Sequence, residues 1–181
     1  MQIEGYAVVC ENDCIADSEG KMPDSLKSEA EWAYFQNGLD IADLIVLGRK
    51  SHDVTPNPKG RLRLVMTRAV TAPIVKHEGA VFWNPAHSSF SRAIELFEVN
   101  VDRVAVTGGK QVFDHFLQSE LGYSCFHLSR MKNVYLPDGV KLFTSLEASC
   151  ETPDELLQSL AYLPSERIEL DAKASVVKWI R

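Results

Sequence analysis

Four apolar residues in unbroken succession, Leu44-Ile45-Val46-Leu47, end on Gly48, and no other segment restricts the fold as much. A strand with one wet face alternates apolar and polar side chains. A run without alternation, bounded by a glycine, reads as a strand buried on both faces, which is the signature of a parallel sheet between helix layers. The run is also too short for a helix of ordinary length.

Further β-prone runs surround it at Tyr6–Cys10, Arg61–Thr67, Val81–Trp83, Val101–Thr107 and Cys125–Arg130. Between them the pattern turns helical: Ser25–Gly38, with Trp32, Phe35 and Leu39 spaced along one apolar face, then Ser88–Phe97 and Gln111–Leu117. The polar stretch from Cys10 through Asp24 reads as a long loop. Arg167–Leu170 and Ser175–Ile180 flank a short turn and predict a terminal antiparallel hairpin. Alternation of strand and helix means parallel strands joined by crossovers. The expectation is an α/β domain over residues 1–181: a mixed, mostly parallel sheet flanked by helices, with a C-terminal antiparallel hairpin.

The 181 residues suit one domain, and 45% hydrophobic against 24% charged residues can build a core. A net charge of -6 argues against a nucleic-acid partner, which would need a basic face. No apolar run approaches the ~18 residues that span a bilayer, and Met1–Gly5 lacks the basic start of a signal peptide. A cytoplasmic monomer or homodimer that binds neither membrane nor nucleic acid is expected. Four cysteines are few for a disulfide scaffold, and Cys10 and Cys14 lack the second pair of a zinc site. The five histidines (His52, His77, His87, His115, His127) fall in no metal-ligand spacing. Neither a P-loop nor a G-x-S-x-G elbow is present, so hydrolase and NTPase chemistry lack their usual signals.

Open parallel sheets bind ligands beyond the carboxyl ends of their strands. Three such ends hold chemistry. Gly48-Arg49-Lys50-Ser51 and Thr67-Arg68 place three cations and two hydroxyls after two strands, a set suited to a phosphate monoester. Thr107-Gly108-Gly109-Lys110-Gln111-Val112 joins a strand to a helix through two glycines, which let a ligand approach backbone N–H groups. It is not the six-residue Rossmann glycine pattern. On the first helix, Glu31 and Phe35 share a face, while Glu29 points elsewhere. An acid beside an aromatic ring can hold a heterocycle, and burial would raise its pKa for proton delivery. Arg61 could clamp a carboxylate or phosphate, or be exposed decoration.

Gly48-Arg49-Lys50-Ser51-His52, Arg61 through Arg68 and Val106-Thr107-Gly108-Gly109-Lys110-Gln111-Val112-Phe113 resemble three consecutive blocks of dihydrofolate reductase, in order and at similar spacing. The loop Ile15–Pro23 and the helix around Glu31-Trp32-Ala33-Tyr34-Phe35 resemble its active-site loop and substrate helix. The likeness implies an NADPH-dependent reductase acting on dihydrofolate or a related pterin. By the same likeness Glu31 is the pocket acid, with Phe35, Val8, Ser129 and Arg61 around the substrate. Arg49, Thr67 and Arg68 would take the adenosine 2′-phosphate, Lys50 and Ser51 the neighbouring phosphates. Thr107, Gly108, Gly109, Lys110, Gln111 and Val112 would line the pyrophosphate and nicotinamide.

The chain departs from the family at Asp24, where a tryptophan is usual, and at Thr107, usually aliphatic. Asp17–Lys21 and Leu136-Pro137-Asp138-Gly139-Val140 also look like the reductase domain of the riboflavin-biosynthesis deaminase-reductase, which reduces a phosphoribosylaminopyrimidine. There Lys21 or Arg61 would meet a ribose phosphate. A non-catalytic nucleotide- or pterin-binding module is the third reading.

Overall fold

The computed structural model describes residues 1–75 and 79–181; His77 lies outside the described residues. The chain begins with β1 (Gln2–Val9), β2 (Cys14–Ala16), α1 (Glu29–Asp40), β3 (Leu44–Gly48), α2 (Arg49–Val54) and β4 (Arg63–Met66). It continues through β5 (Ile74–Val75), β6 (Ala80–Trp83), α3 (Phe90–Ile94), β7 (Arg103–Val106), α4 (Lys110–Gln118) and β8 (Cys125–Met131). The last elements are β9 (Val140–Lys141), α5 (Pro153–Ser159), β10 (Leu163–Pro164), β11 (Ile168–Glu169) and β12 (Ala174–Ile180).

One large sheet runs in the order β10-β12-β8-β1-β7-β3-β4-β6-β5, with β11 also on β12. Its centre, β8-β1-β7-β3-β4-β6, is parallel throughout. β12 then runs antiparallel to β8, and β11 folds back on it as the expected terminal hairpin. Core side chains fill both faces. Val46, Val104, Val106, Phe113, Phe116 and Phe126 pack on the α4 side, and Tyr6, Leu39, Ile45, Leu47 and Phe82 on the α1 side. That two-sided burial is what removed alternation from Leu44–Leu47.

Several boundaries moved for local reasons. The first helix starts at Glu29 because Ser28 caps it, its side chain accepting the Glu31 N–H at 3.4 Å. Residues 24–26 instead form a separate 3-10 turn. The apolar face read from Trp32, Phe35 and Leu39 is wrong in one member: Trp32 is 54% exposed, and Glu31, Gly38 and Leu39 face inward. The supposed long loop before Asp24 contains β2, which pairs with β9 across more than a hundred residues. Arg49–Ser51 are the first turn of a short helix rather than loop.

Gly5 on β1 lies directly beside Phe126 on β8. A Cβ there would lie 2.3 Å from the Phe126 ring, itself fully buried. Gly5→Ala is expected to destabilise the fold by about 1–3 kcal/mol through overpacking. A lowered denaturant midpoint with unchanged slope would show it; an unchanged midpoint would mean that the ring moves aside freely.

Candidate functional site

The three chemistry-bearing segments end on adjacent strands. β3 lies between β7 and β4, so Gly108–Val112, Arg49–Ser51 and Thr67-Arg68 leave neighbouring carboxyl ends of one sheet. At the usual strand spacing these three ends cover roughly 10 Å. The rim is stitched together where the Gly48 N–H donates to the Gly108 carbonyl at 2.8 Å and the Thr107 N–H to the Val46 carbonyl at 2.9 Å.

Glycine is required at 108. Its φ is +88°, and a Cβ would lie 2.5 Å from the Phe113 ring. At Gly109, by contrast, a Cβ would meet nothing within 4 Å, so the backbone there borders open space. Gly109 is also the N-cap of the nine-residue α4. The first-turn N–H groups of Lys110 and Gln111 precede any intrahelical acceptor, and with the positive end of the helix dipole they suit phosphate oxygens. Val112 is buried and packs against Gly48 at 3.4 Å from its projected Cβ, anchoring this turn to β3.

The cations differ in their freedom. Arg49 donates from Nε to both Asp53 oxygens at 2.7 and 2.8 Å, and its guanidinium lies 5.5 Å over the Phe82 ring. Its posture is therefore fixed, and its Nε is committed to Asp53. Lys110 is paired with Glu147. Arg68 and Lys50 are exposed and make no ion pair among the described residues. Thr67 accepts the Ala69 N–H at 3.2 Å, which holds the turn presenting Arg68. Ser51 is half-buried.

Next to β7 the sheet carries a second group of candidate residues. Val8 on β1 sits opposite Ser129 on β8. Ser129 hydrogen-bonds the Glu31 carboxyl from below the first turn of α1. Glu31 is only 7% exposed, and Glu29 is exposed, which settles which acid faces inward. Burial raises the Glu31 carboxyl above its ordinary range, and the Ser129 hydrogen bond only partly opposes this. Phe35, one turn further, is half-buried and meets Tyr6 edge-on at 6.1 Å. Glu31, Ser129 and Val8 are thus neighbours, while Phe35 packs with Tyr6, Leu39 and Ile45.

Arg61 does not join them as a free clamp. Its guanidinium is bound to Asp40, with a further donation to Gln36 at 2.9 Å. Lys21 is likewise tied to Glu19 at 2.7 Å on an exposed loop that Asp17 closes by accepting the Glu19 and Lys21 N–H groups. Phe82, beneath Arg49, was missed in the sequence because nothing local links residues so far apart. Among the described residues no His/Cys/Asp/Glu group could hold a metal ion, and no helix is long and apolar enough to cross a membrane.

This architecture is the dihydrofolate-reductase-like α/β fold, with its parallel centre, antiparallel C-terminal edge and glycine rim. Among solved structures it is shared by a protein from Shewanella sp. PV-4 named for riboflavin biosynthesis, at TM-score 0.70 and 18% identity over 100% of this chain and 99% of that one. A second is the diaminohydroxyphosphoribosylaminopyrimidine deaminase/5-amino-6-(5-phosphoribosylamino)uracil reductase of Thermotoga maritima, at TM-score 0.67 and 16% identity over 99% of this chain. The chain spans 56% of that protein's length. No family model and no curated protein matches the sequence.

Proposed function

We propose that the protein is an NADPH-dependent reductase of a substrate that carries a nitrogen heterocycle, with a phosphoribosylaminopyrimidine favoured over dihydrofolate. The observation that carries this reading is the convergence of three strand ends into one phosphate-fitting rim beside a buried carboxyl group. Open backbone at Gly109 and the first turn of α4 fit a pyrophosphate. Arg68, without an ion pair among the described residues, and the posed Arg49 fit the additional phosphate that distinguishes NADPH from NADH. The bound cofactor would supply hydride. The chain's own residues bind and orient: Val8, Phe35 and Thr107 shape the slot, and Ser129 fixes Glu31. The raised Glu31 carboxyl holds a proton for the heteroatom next to the carbon that would take the hydride.

The names of the two similar structures favour the pyrimidine: one is named for riboflavin biosynthesis, the other as a 5-amino-6-(5-phosphoribosylamino)uracil reductase. The ion pairs that hold Arg61 and Lys21 bear equally on a folate carboxylate and on a ribose phosphate. The test is NADPH oxidation followed spectrophotometrically with dihydrofolate, dihydrobiopterin and 5-amino-6-(5-phosphoribosylamino)uracil side by side. Turnover with the pyrimidine alone is expected. Turnover with dihydrofolate alone would restore the folate reading, and NADPH binding without oxidation of any substrate would leave a non-catalytic binding module.

A further inference from the structure

A second cleft, with a volume of about 470 Å³, opens on the α1 face from the amino ends of the parallel strands, the edge opposite the glycine rim. Glu4, Arg103, His127 and Lys178 line it from the sheet, and Tyr34 and Ile41 from the helix side. None of these residues belongs to the reductase site.

Its floor is a closed polar array. The Tyr6 hydroxyl donates to Glu4 Oε2 at 2.7 Å, and His127 Nε2 lies 3.2 Å from the same oxygen. The Tyr6 and His127 rings stack at 4.2 Å. On the other side of the imidazole, Nδ1 is 2.7 Å from the Tyr34 hydroxyl. The hydrogen bond from His127 holds the Glu4 carboxyl at about 2 against the opposing effect of burial, with Tyr6 and Arg103 adding to it, so Glu4 is anionic. A carboxylate only accepts, so Nε2 carries the proton that meets Glu4, and Nδ1 faces the Tyr34 hydroxyl. The donors of Tyr6 and His127 are thereby used internally, and the Cys125 thiol lies 3.5 Å from His127 Nε2. Such an array is a costly way to fill space that apolar side chains could fill, and polar groups lining a cleft in this manner are characteristic of binding sites.

Charge then selects the ligand. Arg103 Nε lies 3.5 Å from Glu4 Oε1, and its Nη2 donates to Gln2 at 3.1 Å, so Arg103 and Glu4 offset one another. Lys178 stands opposite His127 in the sheet register, and its ammonium has no partner among the described residues. Lys178 thus brings an uncompensated positive charge to the cleft of a chain whose net charge is -6. Ile41, 57% exposed, and the Tyr34 ring form an apolar wall beside it. We propose that this cleft binds a small monoanionic carboxylic acid with a ring-sized apolar body, its carboxylate on Lys178 and its body against Ile41 and Tyr34. A single point charge matches a carboxylate better than a doubly charged phosphate monoester.

Benzoate is a suitable probe, with inorganic phosphate in parallel, added to the isotope-labelled intact chain and followed through backbone amide shifts. Saturable shifts at Gly38, Ile41, His127 and Lys178 are expected, with a dissociation constant on the order of 1 mM. Lys178→Met should weaken benzoate about tenfold and Lys178→Arg should retain it. Lys178 is half-exposed, so both variants can fold. Shifts that stay linear into tens of millimolar would overturn the proposal, as would equal affinity in Lys178→Met, tighter binding of phosphate, or shifts confined to Gly108–Val112. The outcome does not depend on whether the reductase reading holds.

Discussion

Replacing Glu31 with glutamine is expected to lower turnover by about 10²- to 10⁴-fold, the range that general acid catalysis contributes, while leaving NADPH affinity nearly intact. The side chain keeps its shape and can still meet Ser129, but it no longer delivers a proton. The pH profile separates this from a mere packing effect. Burial raises the Glu31 carboxyl, so the protonated donor persists above the ordinary carboxylate range and is lost as pH rises through the raised value. Wild-type turnover should fall across that window, and the residual activity of Glu31→Gln should lack the same step. Stability follows with a definite sign. A carboxyl raised on folding contributes stability at low pH that disappears as pH climbs through its folded value. Glu31→Gln should therefore be more stable than the wild type near neutrality, with the difference shrinking in acid, as denaturant midpoints at the two pH values would report. If Glu29→Gln instead abolished turnover and Glu31→Gln did not, the proton donor would have been assigned to the wrong carboxylate.

Removing Arg68 as Arg68→Ala should weaken NADPH by roughly 10- to 100-fold and NADH hardly at all. A charge-assisted hydrogen bond is worth about 1.5–3 kcal/mol, and only NADPH presents the additional phosphate. Arg49→Ala should act in the same direction but less strongly. Its Nε is committed to Asp53 and its face to Phe82, leaving only the outer nitrogens for a ligand. Titration of each variant with both dinucleotides, read by cofactor fluorescence, tests the pair. An unchanged preference for NADPH over NADH in both variants would remove these arginines from the rim.

Much of this site was legible before any coordinates because its parts are local. Leu44–Gly48 was read to the residue as a strand, since burial on both faces leaves no polar alternation. Gly108-Gly109 read correctly as a strand-to-helix turn, since only glycine tolerates a positive φ against a phenylalanine ring. Other local signals went unread. Thr152, Pro153 and Glu155 form a capping box with proline at the helix start, and they announce α5 in plain sequence. Trp32 misled because apolar periodicity takes an aromatic side chain as inward-facing. It cannot register that Ser129, nearly a hundred residues away, makes the inward place acceptable to a carboxyl group.

By itself the sequence determined the central strands and the helices between them, which turn needs glycine, and which residue types stand after each strand; these depend on neighbours a few positions apart, whereas β2 exists only through its pairing with distant β9. Tertiary structure alone decided the order β8-β1-β7-β3-β4, which brings Arg49, Arg68 and Gly108 to one edge. It also decided that Asp40 occupies Arg61 and that Glu4, His127 and Tyr34 close into one array. Strand order and ion pairing are set by contacts between distant segments, where packing and desolvation act, and no short window of sequence contains both partners.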